Sequence, residues 1–154
     1  MDVLIVYDSY FGNTEKVAKA IGDAFGPDTV LARVGDVQPS QLKGVKLLIV
    51  GSPTRAFRPS EGTQKFLKSL SPGDLQGVQV AAFDTRISAE DSNSGFLKFM
   101  IKLFGYAAKP IADQLKKNGG SLAAEPEGFY VKESEGPLRE GEIERAVNWA
   151  KAIH

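Results

Sequence analysis

Three short apolar runs, rich in β-branched residues, constrain this chain more than any other feature: Val3-Leu4-Ile5-Val6-Tyr7, Leu47-Leu48-Ile49-Val50 and Val78-Gln79-Val80-Ala81-Ala82-Phe83. A strand with one wet face alternates apolar and polar residues, whereas a continuous apolar run is expected where both faces are covered. The covers lie between the runs. Val17, Ala18, Ile21 and Phe25 make one helical stripe, Phe66, Leu67 and Leu70 a shorter one, and Ala107, Ala108, Ile111, Ala112 and Leu115 a third. Ile143, Ala146, Val147, Ala150 and Ile153 make the last. Pro110 is tolerable only in the first turn of its helix, and Gly119-Gly120 is a stop signal. Thr29-Val30-Leu31-Ala32-Arg33-Val34 alternates and suits an edge strand, while Pro39-Ser40-Gln41-Leu42 has room for one turn of helix. The last strand is expected to be split into Ser121-Leu122-Ala123-Ala124 and Gly128-Phe129-Tyr130-Val131, because a proline between them removes a ladder bond. Alternating strands and helices predict parallel strands joined by right-handed crossovers, one doubly wound α/β domain over residues 1–154.

Composition removes whole classes of chemistry. Without cysteine there is no disulfide, thiolate metal site, iron–sulfur ligand or cysteine nucleophile, so redox chemistry must come from a bound cofactor. The one histidine, His154, is the last residue, where fraying makes histidine catalysis remote. Nineteen basic residues balance nineteen acidic ones, giving no net field toward nucleic acid or an anionic membrane. Met1-Asp2 leads into an apolar run too short for a leader or a span, and a cytoplasmic protein is expected.

The turn after the first strand reads Asp8-Ser9-Tyr10-Phe11-Gly12-Asn13-Thr14-Glu15. Gly12 permits tight geometry and close ligand approach, Asn13 or Thr14 is placed to cap the following helix, and Ser9 and Thr14 offer hydroxyls. The open N–H groups of a first helical turn form an anion site without any basic side chain. The same residue types also make an ordinary capped helix, and the turn alone leaves both readings open. Neither Gly-x-Gly-x-x-Gly nor Gly-x-x-x-x-Gly-Lys-Ser/Thr occurs, which disfavours a dinucleotide and a nucleoside triphosphate and leaves a terminal phosphate monoester.

Ser9-Tyr10-Phe11-Gly12-Asn13-Thr14 resembles the phosphate loop of flavodoxins, a Ser/Thr-rich stretch ending Gly-Asn-Thr. Tyr10 and Phe11 depart from the small hydroxyl residues common there, which shifts weight onto backbone donors. The segment from Gly51 to Ser60 resembles the flavodoxin loop that packs on one face of the isoalloxazine ring. Many members carry tryptophan and then glycine where this chain has Arg55 and Ala56; Phe57 is expected to supply the aromatic face, and alanine makes a positive φ costlier than glycine does. Arg55 and Arg58 otherwise read as solvated loop cations. Phe83-Asp84-Thr85-Arg86 ends the fourth strand and resembles the second ring-contacting loop, its backbone facing the pyrimidine edge; by position alone Asp84 reads equally as a strand-end turn residue. Gly128-Phe129-Tyr130-Val131 and Glu135-Gly136-Pro137-Leu138 resemble the C-terminal pattern of some bacterial members.

The resemblance covers nearly the whole chain. It implies a flavodoxin-like five-stranded parallel sheet in the order 2-1-3-4-5 with helices on both faces. It also implies FMN held without a covalent bond by Ser9, Tyr10, Phe11, Gly12, Asn13, Thr14, Pro53, Thr54, Arg55, Ala56, Phe57, Asp84, Thr85 and Arg86, with no metal and no catalytic side chain. A response-regulator receiver shares the topology, but Gly51-Ser52 stands where its acceptor aspartate would, and Asp8 is a single acid where Mg²⁺ needs a pair.

From residue 85 to residue 120 the chain has more sequence than one crossover helix requires, and the stripe from Ala107 to Leu115 already supplies that helix. Phe96, Phe99, Met100, Leu103 and Phe104 recur at helical spacing, flanked by Lys98 and Lys102. That stripe reads as core, as a lid over a flavin, as a docking face, or as a shallow membrane-surface contact. The leading functional expectation is an electron carrier between a reductase and an acceptor protein. Set against it are an FMN-dependent oxidoreductase for a quinone-like or porphyrinogen-type substrate, and an interaction domain that has lost its cofactor.

Overall fold

The computed structural model describes residues 2–88 and 95–153, with the side chains of Leu97, Leu103 and Phe104, and all of His154, outside that description. The apolar runs form the middle of a parallel sheet. β1 (Val3–Tyr7) pairs with β2 (Thr29–Arg33) on one side and β3 (Leu47–Arg55) on the other. A two-residue β4 (Arg58–Pro59) folds back on the end of β3, and α2 (Glu61–Ser69) leads to β5 (Gln79–Ile87), which pairs with β3. Beyond β5 come α3 (Gly95–Phe104), α4 (Ala108–Lys117), β6 (Ser121–Leu122), β7 (Glu127–Val131) and α5 (Glu142–Ile153), while α1 (Asn13–Phe25) joins β1 to β2.

β6 and β7 are two halves of one edge position, both parallel to β5. Val80 pairs with Leu122 and pairing resumes at Phe83 and Glu127, so residues 123–126 oppose only Ala81 and Ala82. The extra residues carry Pro126 out of the ladder, as its missing N–H requires. With that split strand counted once, the order is the expected one.

Period-two alternation divides the core between two faces. Leu4, Val6, Leu48, Val50, Val80 and Ala82 meet Phe66 and Leu67 of α2 and Ile111, Ala112 and Leu115 of α4. Ile5, Ile49, Ala81 and Phe83 meet Val17, Ala18 and Ile21 of α1 and Ala146 and Ala150 of α5. Pro110 sits in the first turn of α4, and residues 39–42 form a short 3₁₀ turn.

The structure corrects two strand ends and one helix face. β3 does not stop at Val50 but runs to Arg55, because Ser52 and Pro53 pair with Asp84 and Thr85 and Thr54 pairs with Pro59. β5 runs past Arg86 to Ile87, held by β7. On α5, Ile143 is exposed, and Trp149 fills the gap instead, meeting Phe83 and Phe129 edge to face with centroids 6.2 Å away.

Gly51 lies beneath the fully buried Phe83, and a Cβ there would run into the ring. Gly51→Ala is expected to cost about 1–3 kcal/mol through overpacking, read as a lower urea midpoint at unchanged slope.

Candidate functional site

The carboxyl ends of β1, β3 and β5 lie side by side, and a polar lattice fixes the loops that leave them. Asp8 follows β1. One of its oxygens accepts the Ser9 N–H at 2.9 Å and the other accepts the Ser60 hydroxyl at 2.6 Å. Ser60 caps α2 by accepting the Thr63 N–H at 3.2 Å, and its own N–H donates to Ser52 Oγ at 3.0 Å. Asp8 thereby ties the end of β1 to β3 and α2.

The next residues build the start of α1. Gly12 is the residue before the helix, in the left-handed region at φ 90° and ψ −6°, and no side chain caps the helix in the usual way. The expected cap from Asn13 or Thr14 is therefore corrected: both lie inside the helix and are buried. Ser9 does the holding, its Oγ accepting the Gly12 N–H at 3.1 Å and the Glu15 N–H at 3.4 Å. Asn13 instead donates to the Glu135 carbonyl at 3.1 Å, pinning the segment after β7 against the loop. The Thr14 hydroxyl bonds the Thr85 hydroxyl at 2.8 Å.

What remains is a concentration of donors. The N–H groups of Tyr10, Phe11, Asn13 and Thr14 have no partner among the described residues. Ser9 Oγ accepts twice and keeps its proton free, and the Thr14–Thr85 pair has one hydroxyl proton left after its mutual bond. These groups border a cavity of about 60 Å³ that Pro53, Thr54, Arg55, Arg86, Ile87, Val131 and Ser134 help to line, with no carboxylate among its lining residues. A helix N-terminus adds partial positive charge at the same place.

Beside it, sharing Thr54 and Ile87, lies a cavity of about 190 Å³ lined also by Ala56, Phe57, Ile101 and Tyr106. Ala56 and Phe57 are the central residues of the β3–β4 hairpin, at φ 49° and 68°. Positive φ at both positions marks a type I′ turn, which normally draws Asn-Gly; here alanine and phenylalanine hold it. The conformation expected to be costly for Ala56 is thus the one it adopts. Arg55 lies over the rings of Tyr10 and Phe11, 5.1 and 5.7 Å from their centroids.

Asp84 is not a turn residue. It lies within β5, fully buried, and receives both the Nε and Nη2 of Arg86 at 2.6 and 2.7 Å and the Ala108 N–H of α4 at 2.8 Å. Burial pushes the carboxyl up from its ordinary value, while Arg86 and the Ala108 N–H pull it back. Arg86 in turn lies 3.8 Å from the ring centroid of Tyr106. Its charge is answered by Asp84 and is not free for a ligand.

The sequence-derived residues thus separate into groups. Ser9, Tyr10, Phe11, Asn13, Thr14, Pro53, Thr54, Arg55, Thr85 and Arg86 surround the first cavity, with Gly12 shaping the backbone; Ala56 and Phe57 line the second; Asp84 stands behind as an anchor. Ile87, Ile101, Tyr106, Val131 and Ser134 were missed. Ser134 reaches the cavity through the Asn13–Glu135 bond, which links residues far apart in sequence. On α3 the buried residue is Ile101, which the expected stripe does not include; of the stripe, Met100 is half-buried, Phe96 and Phe99 are 71% and 59% exposed, and the side chains of Leu103 and Phe104 are outside the described ones. Among the described residues no acid–histidine cluster could hold a metal ion, and no helix is long and apolar enough to cross a membrane.

The family profile described as flavodoxin matches residues 5–149. The chain belongs to the flavodoxin family. Among solved structures this flavodoxin is similar to oxidised flavodoxin 2 from Bacillus cereus, with 25% identity over 99% of this chain and 97% of that one, at a TM-score of 0.77. It is similar in fold to a flavodoxin from the domain Archaea, at 22% identity, full coverage of both chains and a TM-score of 0.71. It also matches 35% of the rubredoxin:oxygen oxidoreductase of Desulfovibrio gigas, at 24% identity over 99% of this chain and a TM-score of 0.72. A search of curated proteins gave no match.

The Asp84–Arg86 pair generates a stability prediction. Asp84→Ala strands a largely buried guanidinium and is expected to cost about 3–5 kcal/mol, whereas Asp84→Leu with Arg86→Met recovers most of that loss. Urea unfolding of the two variants checks it; a benign Asp84→Ala would mean that Arg86 is not held by this pair.

Proposed function

We propose that this flavodoxin binds FMN without a covalent bond and serves as an electron-transfer protein. The observation that carries the proposal is the set of uncommitted N–H groups at Tyr10, Phe11, Asn13 and Thr14 beside a cavity free of carboxylates. A phosphate monoester dianion suits that donor set, because N–H groups and hydroxyl protons are open beside the cavity and no carboxylate lines it. The neighbouring apolar cavity at Thr54, Phe57, Ile87 and Tyr106 suits a flat ring attached to the same phosphate by a short chain.

Bound FMN supplies a ring that takes up and releases electrons, a capacity the side chains of this chain lack. The protein's part is to hold and bias it. Asp8, Ser52 and Ser60 fix the spacing between the phosphate loop and the hairpin, and the buried Asp84 fixes the start of α4. Arg55, with no carboxylate partner among the described residues, is the cation left to favour the reduced, anionic ring. A second reading, an FMN-dependent oxidoreductase for a quinone-like or porphyrinogen-type substrate, draws on the apolar cavity under Ile101. Rapid reduction by NAD(P)H that a quinone accelerates would favour it over the carrier.

Heat release and mass analysis of the cofactor are expected to give FMN; recovery of FAD would overturn the proposal. Thr14→Ala and Thr85→Ala are each expected to weaken FMN binding by about 1.5–3 kcal/mol, and the double variant by little more than either, because the two hydroxyls act as one donor. Titration of the apoproteins reads all three. Arg55→Gln is expected to lower the second one-electron potential by roughly tens of millivolts, from a screened charge at an effective dielectric near 20. Spectroelectrochemical titration checks it, and an unmoved potential would place Arg55 in solvent.

A further inference from the structure

We infer, on the FMN reading above, that Tyr10 and Arg55 are specificity residues: their stack walls the phosphate cavity so that a flavin monophosphate is held and a flavin dinucleotide is shut out. Much of that cavity's border is tied by hydrogen bonds. Thr14 and Thr85 share a hydroxyl bond, Asn13 holds the segment carrying Ser134 through the Glu135 carbonyl, and Arg86 is fixed by Asp84. The border at Tyr10, Phe11 and Arg55 is held differently. The Arg55 guanidinium lies over both rings, 5.1 and 5.7 Å from their centroids, and the rings are 49% and 46% exposed. These are also positions at which the chain departs from the common flavodoxin pattern, so the wall belongs to this chain and not to the fold.

Tyr10 and Arg55 border two spaces at once. Both line the phosphate cavity of about 60 Å³ and both line a cleft of about 450 Å³ with Arg58, Pro59, Glu61 and Gln64; among the described residues no other borders the two. At roughly 30 Å³ for each water's share of volume, the inner space takes one phosphate group and no second. A monoester carries one substituent, and its way out is toward the ring cavity, which shares Thr54 and Ile87 with the first. The diphosphate of a dinucleotide carries an adenylate half as well, and the space next to the phosphate cavity across the stack is the outer cleft. That cleft is large enough, within the roughly 300–1,000 Å³ of small-ligand sites. Its charge does not decide, because Arg58 favours a second phosphate and Glu61 opposes it. Exclusion is therefore steric: the stack must part, losing both cation–π contacts, before an adenylate can pass.

The test is calorimetric titration of the full-length apoprotein with FMN and with FAD at one salt concentration. The wild-type chain is expected to prefer FMN. Tyr10→Ala with Arg55→Ala is expected to lower that preference about tenfold, with FAD bound more tightly than by wild type. The two single variants are expected to move it in the same direction and carry the test alone should the double variant not fold, which thermal melts report. Tyr10→Phe keeps the stack and is expected to keep the preference, whereas Arg55→Lys keeps the charge, loses the planar contact and is expected to admit FAD more readily. In the ¹⁵N-labelled double variant the Glu61 and Gln64 amides are expected to shift on FAD and not on FMN, which puts the adenylate in the outer cleft. Unchanged FAD affinity in the opened variants, selection by Arg55→Lys equal to wild type, or a wild-type chain that takes both flavins alike would overturn the inference while leaving FMN binding in place. A wild-type chain that takes neither flavin would instead remove the FMN reading, and the wall's role with it.

Discussion

The rest of the structure depends on the burial of β1, β3 and β5 on both faces. These strands are joined by helical crossovers, which lay helices on both faces of the sheet and make the strands run parallel. Parallel strands end at the same edge. That places the turn after Tyr7, the hairpin after Arg55 and the end of β5 at Ile87 within reach of one another. Doubly wound folds, flavodoxins among them, bind their ligands in the crevice at that edge.

At that edge the chemistry is supplied mainly by the main chain. Gly12 in the left-handed region turns the chain into α1, and Ser9 absorbs two N–H groups, while those of Tyr10, Phe11, Asn13 and Thr14, residues that line the cavity, have no partner among the described residues. The polar side chains nearby are largely occupied in holding this geometry: Asp8 with Ser60, Asn13 with Glu135, Thr14 with Thr85, Asp84 with Arg86. A side chain can therefore matter to ligand affinity here without touching the ligand, by fixing where a backbone donor points. Bound to an anion, such donors are worth more than neutral hydrogen bonds and need little reorganisation.

The fold was legible because burial leaves a strong periodic mark: the three apolar runs became the central strands, and the stripe from Ala107 to Leu115 became α4, with Pro110 in its first turn. The split of the last strand was legible from Pro126 alone. The site was less so. The residue types from Ser9 to Thr14 mark a helix start, but which of them caps, which pins a distant loop and which stays open depends on Ser60, Thr85 and Glu135, contacts of long sequence separation. Asp84 reads from sequence equally as a ring-contacting or a turn residue, because β7 and α4, which bury it, come later in the chain. The positive φ of Ala56 and Phe57 contradicts their local preference and is imposed by the β3–β4 pairing. On α3 the stripe announced a helix but not which side would be covered.

The central claim is that the open N–H groups at the start of α1 hold a terminal phosphate. It is tested most directly by comparing the affinity of the apoprotein for FMN and for riboflavin, which differ only in that phosphate. Several charge-assisted hydrogen bonds, even acting far from additively, predict FMN tighter by about a thousandfold, with the Tyr10, Phe11, Asn13 and Thr14 amides shifting on FMN and not on riboflavin. Equal affinity for the two, with those amides unmoved, would contradict it.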